Sequence, residues 1–197
     1  PVDDADIKVL PGQEGGPLLG AAEREELSRH MMEMLEVFDW PRVRRALWFG
    51  ADPMFTEHMG QTVLHVAALA GDLETVKAAI RRATSKAAFL NKASDEGNTP
   101  LHYAAADPDC GVLRQLLRAG ANLAAKNQYG QLPLHMAEAA GNAKGYKILH
   151  DFMAQRLADL RRRAAGSAGG GGERGEEGRR SGAAQPVTGE RGGVAVD

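Results

Sequence analysis

Gly97-Asn98-Thr99-Pro100-Leu101-His102-Tyr103-Ala104-Ala105 is the stretch whose reading decides the fold. Gly97 can turn the backbone with positive φ, where a Cβ would clash. Asn98 and Thr99 form turns and cap helix N-termini, and Pro100 suits the first helical position, whose N–H has no partner within the helix. Leu101, Ala104 and Ala105 then begin an apolar helical face, with alanines small enough for a second helix to come close.

The same form recurs on both sides, as Gly60-Gln61-Thr62-Val63-Leu64-His65-Val66-Ala67-Ala68 and as Gly130-Gln131-Leu132-Pro133-Leu134-His135-Met136-Ala137. His65, His102 and His135 stand 37 and 33 residues apart. A Gly-x-Thr-Pro-Leu-His-x-Ala-Ala pattern at a period near ~33 resembles the ankyrin repeat, a β-turn followed by two antiparallel helices. The resemblance implies an all-α solenoid of about four repeats, near 23–53, 54–91, 92–124 and 125–163. The ends, 1–22 and 164–197, are expected to be disordered. Ile7 to Leu10 is the one apolar cluster before residue 22, and Gly169 to Gly172 with scattered Glu and Arg dominate the other end.

Working outward, Asp39 to Leu47 aligns without gaps on Asp72 to Ile80, the second helix of the next repeat, and Gly50-Ala51-Asp52 closes that unit. Glu23 to Pro53 is therefore an atypical first repeat, with Met34 and Leu35 where the others have paired alanines. A terminal repeat differs because one of its faces has no neighbour. The 37-residue spacing puts four extra residues between Arg81 and Leu90, a longer connector that is partly helical. In the third repeat Pro108 replaces the glycine between the helices. In the fourth, Leu132 replaces Thr, and Gly145 stands where a branched apolar residue is usual. Lys144 to Arg163 keeps helical spacing through Ile148, Leu149, Phe152, Met153, Leu157 and Leu160, and reads as one long closing helix.

Composition narrows the function. A net charge of −2 speaks against a general nucleic-acid binder, which needs a clustered basic face. With Cys110 alone, neither an intramolecular disulfide nor a Cys-rich zinc site can form, and a reducing cytosolic or nuclear home is favoured. No apolar run nears the ~18 residues of a membrane span, and no signal peptide is evident. We expect no cofactor and no metal. The histidines repeat on helices packed ~8–10 Å apart, whereas the ligand nitrogens of one zinc ion lie within about 4 Å of each other. The resemblance instead gives each His a structural role, bonded to the Thr of its own motif and to turn backbone. Thr62, Leu64, His65, Thr99, Pro100, Leu101, His102, Pro133, Leu134 and His135 are then motif residues, with His135 less well held because Leu132 is no hydroxyl partner.

Catalysis finds no support either. There is no Gly-x-Ser-x-Gly, no phosphate-binding Gly-x-x-x-x-Gly-Lys-Ser/Thr and no His-Glu-x-x-His. Cys110, beside Asp107 and Asp109, reads as an ordinary surface or half-buried thiol. What remains is a surface. Carried over by position, the ankyrin resemblance implies protein binding through hairpin tips (Thr56, His58, Met59, Gln61; Asp95, Glu96, Asn98; Gln128, Tyr129, Gln131) and first-helix positions such as Leu69 and Asp107. Met59, Leu69 and Tyr129 are its apolar anchors. The chain reads as a non-catalytic interaction module or adaptor, monomeric on its own, whose partner protein offers basic and apolar residues. The regulatory or substrate-docking portion of a larger enzyme, and a secreted effector, remain the alternatives.

Overall fold

A computed structural model describes residues 19–56 and 58–168. The expectations for Ile7 to Leu10 and for the Gly-rich segment from Gly169 onward lie outside those residues. Among the described residues there are nine α-helices, one short 3₁₀ turn at His58–Gly60, and no strand.

The helices pair as the repeats require. The first helices are α1 (Ala21–Glu36), α3 (Val63–Leu69), α6 (Pro100–Ala106) and α8 (Pro133–Ala139). The second helices are α2 (Trp40–Phe49), α4 (Leu73–Arg82), α7 (Gly111–Ala119) and α9 (Ala143–Ala168), with α5 (Lys86–Leu90) inserted after α4. Within repeats, α1 packs on α2, α3 on α4 and α6 on α7. Between repeats, α3, α6 and α8 form one layer, while α2, α4 and α7 form the other. The described residues up to Asp159 belong to one compact unit, and those from Leu160 to a second. The helix of α9 continues to Ala168, five residues beyond the expected end at Arg163.

The core follows from side-chain size. Ala67, Ala68, Ala104 and Ala105 are fully buried, and they let consecutive first helices approach closely. Leu64, Leu101, Leu113 and Leu116 fill the space between the layers. In the first repeat Leu35 is buried, while Met34 is only half covered because no described helix lies on its outer side. The inserted α5 contributes Phe89 and Leu90, both fully buried; the longer connector thus adds to the core as well as spanning a gap.

The turn between the two helices of a repeat needs a left-handed residue, and the four repeats supply it in three ways. Gly71 (φ 73) and Gly141 (φ 67) do so without strain, and Phe38 (φ 55) takes the same place in the first repeat. Pro108 cannot, since its ring fixes φ near −65°. The left-handed residue is therefore displaced to Cys110 (φ 56), directly before α7. This corrects the expectation of a surface or half-buried thiol, because Cys110 is completely buried. Its Sγ faces Asn142, whose Nδ2 donates to the carbonyls of Ala105 (3.0 Å) and Asp107 (2.7 Å). The same asparagine explains Gly145. A Cβ there would stand 2.5 Å from Asn142 Nδ2 and 3.1 Å from the Ala105 carbonyl, so a branched residue would push α9 off its neighbour.

Candidate functional site

His65 and His102 fasten α3 and α6 to the hairpins that follow them. In the second repeat, Thr62 caps α3, and its backbone N–H donates to His65 Nδ1 at 3.0 Å, with Thr62 Oγ1 2.9 Å from the same nitrogen. Because Nδ1 accepts, the ring proton sits on Nε2, which donates to the carbonyls of Lys92 (3.0 Å) and Asn98 (3.2 Å). His102 repeats the arrangement with Thr99 and the Gln131 carbonyl, at 3.1 Å. Burial, the largest cause, holds the pKa of His65 down to about 4, and burial lowers that of His102 as well, so both rings are neutral at pH 7. His135 is exposed and keeps only the N–H of Leu132 among the described residues. Leu134 is correspondingly half-buried, where Leu64 and Leu101 are sealed.

His65 and His102 thereby each set the position of a loop in the next repeat. The loops are also bonded tip to tip. Asp95 N–H donates to the Met59 carbonyl (2.9 Å), and Gln128 N–H to the Glu96 carbonyl (3.0 Å). Gln128 Nε2 also donates to the Asp95 carbonyl. Gly97 (φ 78) lies under this second contact, where a Cβ would meet the Gln128 nitrogen at 2.8 Å.

The expected contact residues divide into two groups. Met59, Leu69 and Tyr129 are 55%, 57% and 73% exposed, large apolar side chains that the core does not use. Asp95, Glu96 and Gln128 are exposed beside them on the tips. Asn98 is different, only 5% exposed and turned into the stack. Its Oδ1 accepts from Asn127 Nδ2 at 3.0 Å, and its Nδ2 donates to Glu96 Oε2, so it ties two tips together instead of facing a partner. Gln131 is half-buried, accepting from His102 through its backbone and from Asn127 through its side chain (3.2 Å). Gln61 donates to the Tyr103 hydroxyl (3.2 Å), and Thr56 is half-buried. Asp107 is half-buried and closes its own turn by accepting from Asp109 N–H. The side chain of His58 lies outside what is described.

Asn127 is the residue that the sequence reading missed. Its Oδ1 accepts from the N–H groups of Tyr129 and Gln131, which fixes the tip that carries Tyr129. The signal was its place seven residues before Leu134, a turn position also held by Ser94 ahead of Leu101. Among the described residues, no group of three or more His, Cys, Asp or Glu side chains could hold a metal ion, and no helix is long and apolar enough to cross a membrane.

A family model described as ankyrin repeats in three copies matches residues 39–127 and 64–159. NF-kappa-B inhibitor alpha of Gallus gallus is 30% identical over 131 residues, which is 66% of this chain and 41% of that protein. Probable 26S proteasome regulatory subunit p28 of Saccharomyces cerevisiae is 33% identical over 95 residues, 48% of this chain and 41% of that one. Tyrosine-protein kinase Shark of Drosophila melanogaster is 35% identical over 91 residues, 46% of this chain but 9% of the kinase. The chain spans about two fifths of the length of the first two relatives. Repeat motif, paired helices, histidine-fastened loops and family model agree, and the chain belongs to the ankyrin-repeat family.

Proposed function

We propose that the chain is a non-catalytic module that binds a partner protein along its hairpin tips and first helices. The observation that carries this reading is the exposure of Met59, Leu69 and Tyr129 on a backbone whose tips are bonded to one another. Side chains of this size make interface hot spots when a partner covers them, and a backbone already ordered loses little entropy on binding. The carboxylates of Asp95 and Glu96 add a negative field around the anchors. The partner surface therefore carries an apolar pocket rimmed by Lys or Arg. Charge sets its association rate and selectivity, and the anchors set how long it stays.

A second reading has its own support. Similarity to a kinase over only 9% of that protein's length is what a docking segment of a larger enzyme would give. Both readings use the same surface and differ in what is covalently attached to it. The relatives' names, an inhibitor and a proteasome regulatory subunit, fit a cytoplasmic or nuclear adaptor that regulates whatever it binds.

The test is affinity capture with the full chain, followed by calorimetry on the recovered protein. Tyr129→Ala is expected to weaken binding by at least ~2 kcal/mol without changing the melting temperature. Unchanged affinity for Tyr129→Ala, Leu69→Ala and Met59→Ala would show that the tips are not the site.

A further inference from the structure

The second helices carry a pattern that packing does not require. Counted from the motif leucine, the same position in the helix is Lys77 in α4, Arg114 in α7 and Lys147 in α9, and the gapless alignment of α2 on α4 puts Arg44 there as well. One turn further on stand Arg81 and Arg118. Helices α2, α4 and α7 pack side by side in one layer, so the cations of these three helices recur about every 8–10 Å across it. Arg44 is paired with Asp72 (3.1 Å) and Lys77 with Glu74 (2.8 Å). Helix α7 contains no carboxylate, and Arg114, Arg118 and Lys147 are all exposed.

The bland account is a solvated face. It covers Arg81 and Arg118, which sit in last turns where the helix dipole favours cations. It does not cover Arg114 and Lys147, which lie further from a helix C-terminus. Six cations in the stripe meet one carboxylate within it, Asp151 of α9 at the place of Arg81 and Arg118, with Asp72 and Glu74 beside it, so the face is basic, while the tips and α1 carry Asp95, Glu96, Glu23, Glu25 and Glu26. The first-helix layer and the second-helix layer are opposite sides of each repeat, so the chain is polarised across its stack.

We propose that the second helices form a separate docking face, centred on Arg114 and Arg118, for an extended acidic segment of a partner protein. An extended chain advances ~3.3 Å per residue, so carboxylates three residues apart match the helix spacing of ~8–10 Å. The carboxylates in and beside the stripe, Asp151, Asp72 and Glu74, favour discrete partner charges over the continuous charge of a nucleic acid. Together with the tips, this face would let one chain bridge a basic and an acidic partner.

The probe is a fluorescein-labelled twelve-residue peptide of four Glu-Gly-Ser units, titrated with the full chain at about 50 mM salt, where screening is weak. Saturable binding is expected, weakened about tenfold by Arg114→Glu with Arg118→Glu, weakened by Lys147→Glu alone, and unchanged by Tyr129→Ala. Thermal melts check that each variant folds, and Lys147→Glu supplies the answer if the double variant does not. Absence of saturation by the wild-type chain at millimolar concentration would overturn the proposal, as would equal binding by Lys147→Glu. Tighter binding of a twenty-base-pair duplex than of the peptide would also overturn it, and would make the face one for nucleic acid.

Discussion

Acidification should loosen the stack through its buried histidines, and the geometry fixes both sign and size. His65 is neutral in the folded chain, with a pKa held at about 4 against an ordinary 6.5. A second proton would have to go on Nδ1, where it would meet the Thr62 N–H head-on across 3.0 Å. The unfolded chain offers no such obstacle and takes up the proton near pH 6.5. The stabilisation is thus complete above pH 6.5 and is lost as pH falls toward 4. Between pH 7 and pH 5, His65 alone should cost about 2 kcal/mol, and His102, also lowered by burial, acts in the same direction. Urea melts at pH 7, 6 and 5 measure the loss. His65→Gln removes one titration, so its stability should fall less steeply than that of the wild type over the same range, even though it starts lower. Parallel slopes for the two proteins would refute the reasoning, since carboxylates common to both would then explain the whole effect.

Two further perturbations test the register and the tips. Leu101→Ala removes a fully buried side chain at the centre of the motif and should cost about 2–5 kcal/mol in urea melts; a loss below about half a kilocalorie would mean the repeat register is wrong. Gly97→Ala forces a Cβ into a left-handed residue and against the Gln128 nitrogen, and should cost about 1–3 kcal/mol, with faster hydrogen exchange at the Gln128 amide; unchanged exchange there would disprove the tip-to-tip bond.

The motif was legible in the sequence because every residue in it answers a local demand: a left-handed turn, an N-cap, a first-turn proline, a small helix face. The extra residues before Leu90 were legible as a partly helical connector for the same reason, and α5 is there. What could not be read were the bonds between repeats. Asn98 carries the marks of an exposed turn residue, and only its partner Asn127, twenty-nine residues away, turns it inward. Cys110 looked ordinary because nothing local says that Pro108 displaces the left-handed residue by two positions. Phe89 was hidden for a related reason. An insertion has no counterpart in the neighbouring repeats, so periodicity says nothing about which of its side chains points inward. The apolar anchors could be proposed from the sequence because they are large side chains at positions that the repeat leaves open.

The most direct measurement of the central claim is site-specific photocrosslinking in the full chain. A benzophenone amino acid is placed singly at Met59, Leu69, Tyr129 or Leu157, and the partner recovered by affinity capture is added. Leu157 serves as the comparison, being a similarly exposed apolar residue on α9, which is neither a hairpin tip nor a first helix. Crosslinks from positions 59, 69 and 129, with none from 157, are the predicted result. A partner that crosslinks from 157 and from none of the other three would contradict it, and would move the binding surface to the closing helix.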